Sequence, residues 1–321
     1  MSAVTASADS LPKLDGYPFE ARYSESARAE AVRLADMAGD AYAYFAGAFL
    51  GWAPQFTAFL LAPDDWKVHV SSQGYGNPRY QPAGVTHDEA VGPASENRLI
   101  VATDDNAFWR SFGRIARVAS PLAAWPRLKK TYTDPEGRLR MRGFFDLLVV
   151  HELVHAFEQQ GGAALPALWL SEFFANLSLH AFIASERPSD LPQLTTFPEV
   201  MSRVAAFNLM VRLRGYRSLE DFEHHYPVGT EKPMNGPNYG WYQLRLHVLA
   251  REVFDQGGEE ALARLYAFAR SEDPRRASPW HHFLKHGTLT DWPGGMRRLE
   301  LADLLAKEVS PRLGRAIADW H

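Results

Sequence analysis

Residues 143–158, Gly-Phe-Phe-Asp-Leu-Leu-Val-Val-His-Glu-Leu-Val-His-Ala-Phe-Glu, constrain this chain more than any other stretch. Phe144, Phe145, Leu147, Leu148, Val149, Val150, Leu153, Val154 and Phe157 place apolar side chains on nearly every side of a helix. A helix apolar all round is a buried one. His151, Glu152 and His155 sit inside it, and burying such groups is costly unless they are paired or bind an ion. Two histidines at i and i+4 lie one turn apart on the same face, so both imidazoles can close on one metal ion. Glu152 is placed beside them to hold a water at that ion. The alternative is a pair of core histidines bonded to carbonyls.

The next apolar stretch, Pro166-Ala-Leu-Trp-Leu-Ser-Glu-Phe-Phe-Ala-Asn-Leu-Ser-Leu-His-Ala-Phe, reads as a second buried helix with Pro166 near its first turn. Its polar exceptions Glu172, Asn176 and His180 recur every four residues as a narrow stripe. A carboxylate among Trp, Leu and Phe needs a positive partner. A metal held by two neutral histidines needs a third ligand and a negative charge. Gly161-Gly162 allows the first helix to end and the chain to turn before the second begins. The other reading of Glu172 is a partner for a core Arg.

His151-Glu152-Leu-Val-His155 followed by Trp169-Leu170-Ser171-Glu172-Phe-Phe-Ala175 resembles the gluzincins. These are the thermolysin-like and aminopeptidase-like zinc metallopeptidases, whose third ligand is a Glu on the next helix, often within Trp-Leu-x-Glu-x-x-Ala. The resemblance covers residues 140 to 185. It implies one zinc ion held by His151, His155 and Glu172, with Glu152 as general base. The spacing to Glu172 is slightly shorter than in thermolysin, so a tighter intervening turn is expected. The pattern of other zinc proteases, a third His soon after a Gly, is absent.

Amide hydrolysis also needs a donor to the developing oxyanion. The segment Asn238-Tyr-Gly-Trp-Tyr-Gln-Leu-Arg-Leu-His-Val-Leu249 is similar to the aminopeptidase-like segment in which a Tyr opens an apolar helix. Lining up Leu246 and Leu249 places Tyr239 on the family's Tyr. Tyr242 stands where that family usually has Gly, which makes it the substitute candidate. The alternative is that both are packing residues. Asn176, one turn after Glu172, is expected to orient a ligand His, since metal-bound His usually donates its other N–H to an acceptor. Thermolysin-like proteins often carry an acidic residue there. His180 reads as a satisfied core His. His224, His225, His281, His282 and His286 read as surface or loop residues rather than a second metal site.

The chain is long enough, at 321 residues, for one large or two modest domains. With no cysteine, any zinc must be held by His and carboxylate. The net charge of −4 gives no electrostatic reason to expect nucleic acid or an anionic membrane. No apolar run approaches a membrane span, and the N-terminus does not read as a signal peptide. A cytoplasmic location is therefore the default, with a processed secreted form the alternative.

Along the chain, residues 1–18 read as a tail, 19–165 as an α+β lobe ending in the His-Glu helix, and 166–321 as a helical lobe carrying the third ligand. Residues 20–49 have a helical pattern, and 56–61, 68–72 and 98–102 read as strands. Residues 74–93 read as loop and 129–141 as a hairpin. Residues 187–192 read as a linker, and helical patterns follow at 199–213, 240–255, 259–270 and 297–318. Strands first and helices after give an α+β class. The resemblance refines it to a zincin-like fold, a small twisted sheet on the metal-site helix followed by a mostly helical lobe.

The expected function is hydrolysis of a peptide or protein substrate by a single-zinc peptidase. The alternatives are a zinc-stabilised scaffold with a vestigial site, or a zinc hydrolase acting on a non-peptide bond.

Overall fold

A computed structural model describes residues 10–49, 51–70, 74–84, 94–163, 165–204, 208, 209, 211, 213, 215–226, 234, 236–271 and 297–320. Among these the fold is α+β, mostly helical, with eleven helices and one small mixed sheet of five strands. Two compact units emerge. One comprises Met1–Arg114 and Asp134–Gly161, the other Ile115–Thr133 and Gly162–His321. The sequence reading puts a single division after residue 165 and does not anticipate that 115–133 joins the second unit.

In the first unit, strands β1 (Lys13–Leu14), β2 (Glu20–Tyr23), β3 (Thr57–Leu61), β4 (Arg79–Gln81) and β5 (Arg98–Ala102) are ordered β1-β2-β3-β5-β4. β2, β3 and β5 run parallel, and β1 and β4 flank them antiparallel. β3, Thr-Ala-Phe-Leu-Leu, is buried at every position, as an apolar run in the middle of a sheet should be. Parallel neighbours need a crossover, and α1 (Arg28–Ala48) supplies it between β2 and β3. It packs on both strands and on α5 (Arg142–Gln160), which also touches β4 and β5. Phe157 of α5 meets Tyr42 and Phe45 of α1 edge-on, at ring distances of 5.4 and 5.8 Å. At the other end of α5, buried Asp146 is bonded by Arg33 of α1 at 2.5 Å and by Arg142 at 3.3 Å.

Residues 13–14 pair with β2 instead of trailing as a tail, and Leu11 is buried. The helical pattern expected from residue 20 begins at Arg28, because 20–23 is recruited into the sheet. Val68 and His69 of the strand expected at 68–72 instead close α2 (Pro63–His69), and 71 and 72 fall outside the described residues. Pro63 opens that helix, Asp64 and Asp65 sit in its first turn, and Lys67 and His69 in its last, which suits the helix dipole. β4 lies inside the segment read as loop, of which 85–93 fall outside the described residues. The hairpin expected at 129–141 is instead the end of α4 (Trp125–Tyr132) and a turn closed by Gly137 N–H to the Asp134 carbonyl. α3 (Ala107–Ala119) has no counterpart in the sequence reading.

The second unit is helical. α6 (Leu168–Glu186) is its centre, buried continuously from Leu168 to Ile183. Around it pack α7 (Leu191–Met201), α8 (Leu219–His225) and α9 (Gly236–Ala269). α10 (Arg298–Glu308) and α11 (Pro311–Ala318) pack on each other and on α9. α4 belongs here because Tyr132 Oη donates to the Gln193 carbonyl and accepts the Phe197 N–H, while Arg127 pairs with Glu199. In α9, Gly258 stands at φ 56°, ψ −150°, a conformation open to glycine, so the helices expected at 240–255 and 259–270 are two arms meeting there. The helix expected at 297–318 breaks at Ser310-Pro311, where Ser310 caps α11. The expected linker is a single 3-10 turn, Pro188–Asp190, leading into α7. Of the helix expected at 199–213, 199–201 close α7 and 208, 209, 211 and 213 are helical, while 205–207, 210 and 212 lie outside the described residues. Among the described residues no helix is long and apolar enough to cross a membrane.

Candidate metal centre

α5 carries His151, Glu152 and His155 on adjacent positions of one turn. His151 and His155 are 5% and 8% exposed, and their Nε2 atoms face each other at 3.2 Å. His155 Nδ1 lies 3.1 Å from Oε2 of Glu158, which is itself buried. A carboxylate only accepts, so Nδ1 carries the proton and donates, and the lone pair of His155 is left on Nε2. Glu152 is half-buried, and its Oε2 accepts the backbone N–H of Tyr80 at 2.8 Å. Tyr80 belongs to β4, an edge strand, so its N–H can face away from the sheet. Burial pushes the Tyr80 phenol up to about 12, and its oxygen accepts from Gln160 Nε2 at 2.9 Å.

Glu172, on the first turns of α6, is 3% exposed. Its Oε1 accepts from the Tyr226 hydroxyl at 2.8 Å and its Oε2 from Gln243 Nε2 at 2.6 Å. The same Gln243 nitrogen donates to the Tyr239 oxygen at 2.9 Å. Because that oxygen accepts from Gln243, the Tyr239 hydroxyl is turned to donate elsewhere. The rings of Tyr226 and Tyr239 stack in parallel, 5.2 Å apart. Asn176 Nδ2 donates to Gln243 Oε1 at 3.1 Å. That bond steadies Gln243, which holds Glu172.

Tyr242, the substitute candidate, is fully buried and donates to the Ser218 carbonyl at 2.6 Å. It stacks on Trp320, and burial raises its phenol far above the ordinary value. It is a packing residue. His180 is buried edge-on to Phe254, and burial pushes its imidazole down to about 4, which keeps it neutral near pH 7. His224 is exposed on α8, and His225 packs on the ring of Tyr216. His281, His282 and His286 lie outside the described residues.

One ligand atom from each of His151, His155 and Glu172 lies within 4.8 Å of the others, and all three residues are buried. Among the described residues this is the single such group. The His-His-Glu group could hold a metal ion. Its donors suit one: two imidazole nitrogens and a carboxylate that its neighbours bond as an anion. A cation would also use both facing Nε2 lone pairs, where without one a ring proton must lie between them.

Glu158, Gln243, Tyr226 and the Tyr80 N–H are missing from the sequence reading. Two of them had a local signal. Glu158 is i+3 from His155 and Gln243 is i+4 from Tyr239, each on the same helix face as its partner. Tyr226 and Tyr80 come from other elements and had none. No family model, curated protein or solved structure matches the chain.

Proposed function

We propose that this chain is a zinc-dependent peptidase of the gluzincin kind, built on a zincin-like core. The observation that carries the reading is the closure of His151, His155 and Glu172 within 4.8 Å, with Glu152 next in sequence to the first ligand. When bound, zinc supplies Lewis-acid polarisation of a carbonyl and lowers the pKa of water to about 7.

Every other part of the chemistry falls to the chain's own residues. Glu152 accepts the proton of the attacking water on its carboxylate and delivers it to the leaving amine. The Tyr80 N–H holds Glu152 Oε2 and so orients the carboxylate for that exchange. Glu158 keeps the proton of His155 on Nδ1, so that Nε2 is the ligand atom. Gln243 and Tyr226 hold the two oxygens of Glu172. Tyr239, joined to Glu172 through one Gln243 nitrogen, donates to the oxyanion.

The test is digestion of a mixed peptide library by the zinc-loaded protein, read by mass spectrometry, with Glu152→Gln as the blank. The variant should keep the metal and lose turnover by about 100-fold or more, as expected for a positioned general base. Equal cleavage by wild type and Glu152→Gln would remove Glu152 from its role. Bound zinc with no cleavage of any peptide would transfer the site to a scaffold or to a non-peptide substrate.

A further inference from the structure

Helix α3 and the turn after it carry an exposed apolar edge beside a run of basic residues. Ile115 is 47% exposed, Val118 86% and Leu122 91%, and Phe108 is exposed on the same helix. Half of the large apolar side chains this exposed among the described residues fall in that one stretch. No Asp or Glu occurs between Ala107 and Thr133. Arg114, Arg117 and Lys130 are exposed, and none joins an ion pair among the described residues. Lys129, also exposed, lies 5.4 Å over the ring of Trp125. The whole-chain charge of −4 conceals this local excess.

The helical period sorts the two kinds of side chain. Trp109 and Ala116 point inward and are buried. On the outer surface Arg110, Arg114 and Arg117 share one side of α3, and Phe108, Ile115 and Val118 the adjoining side. A face divided lengthwise into cationic and apolar strips matches an anionic bilayer surface, where phosphates lie directly above acyl chains. Single-stranded nucleic acid would use the charges but rewards stacking aromatics, leaving aliphatic Val118 and Leu122 in water.

We propose that α3, the turn after it and α4 through Lys130 form a peripheral docking surface for an anionic lipid bilayer. Val118 and Leu122 enter the acyl boundary, and Arg114, Arg117 and Lys130 take the headgroup phosphates. The proposal is independent of the metal centre.

The test is co-sedimentation of the full chain with phosphatidylcholine vesicles and with equimolar phosphatidylcholine–phosphatidylglycerol vesicles, at low and at physiological salt. The protein should pellet with the anionic vesicles, and salt should weaken it. Each of Arg114→Gln and Arg117→Gln should weaken partitioning about five-fold. Leu122→Ser should weaken it about ten-fold at unchanged far-UV circular dichroism. Absence of binding to anionic vesicles overturns the proposal, as does binding that neither kind of variant reduces. Self-association lost on Leu122→Ser, without vesicle binding, would assign the patch to a second copy of the chain. Retention of an oligonucleotide in place of vesicles would assign it to nucleic acid.

Discussion

Two phenols near Glu172 have different work. Tyr226 donates to the carboxylate directly, whereas Tyr239 meets it through Gln243. Tyr226→Phe should therefore lower metal affinity by about 10-fold or more with a smaller effect on turnover of the loaded protein. Tyr239→Phe should keep the metal and lower kcat by about 100-fold. Metal titration and steady-state kinetics on both variants separate the roles, and a reversed pattern would exchange them. Glu223, half-buried but with its Oε2 enclosed, is a different kind of acid. It accepts the Trp169 N–H at 3.0 Å at the start of α6, and its Oε2 has no partner among the described residues. Burial pushes its carboxyl up from 4.5 to about 7. A folded-state pKa above the unfolded one favours the protonated fold. Its contribution is therefore complete below about pH 4.5 and is lost as pH rises to about 7, amounting to about 3 kcal/mol. Urea unfolding across that range should fall more steeply for wild type than for Glu223→Gln. Parallel pH profiles would show that Glu223 is not strained in this way.

Elements hold these residues where propensity and packing agree. α5 is buried almost throughout, yet it carries Asp146 at one end and the histidines at the other. The Arg33 and Arg142 contacts let the apolar helix accept Asp146, and Glu158 does the same for His155. α10 and α11 depend on close backbone approach. A Cβ on Gly314 would run into the Cβ of Ala306 and the carbonyl of Ala302. Gly314→Ala should cost about 1–3 kcal/mol by overpacking, read as a lower denaturation midpoint at unchanged slope. A neutral effect would mean that the two helices separate freely. Val68-His-Val alternates like a strand, but Pro63, the two aspartates and Lys67 satisfy a helix from end to end. Arg79–Gln81 is a strand because β5 offers it a ladder, and nothing in its three side chains announces that.

The whole molecule is where a metal would register as stability. A ligand that binds only the folded chain stabilises by about 4 kcal/mol at a thousand-fold excess over its Kd. Zinc added to chelator-stripped protein should therefore raise Tm by several degrees, and Glu172→Ala should abolish most of the rise. A zinc-independent Tm would count against the His-His-Glu group as a metal site. The α+β class, the helix bearing His151, Glu152 and His155, and the candidacy of Glu172 were determined by the sequence alone. Each is a local matter, because helical period and the cost of burying a charge in an apolar run act within a few turns of chain. The tertiary structure alone decided the rest. Tyr226 and Gln243 reach Glu172, the edge strand gives its Tyr80 N–H to Glu152, Tyr242 is lost to packing, and α4 joins the second unit. Those contacts join residues far apart in the chain, and their partners are set by how whole helices and strands pack.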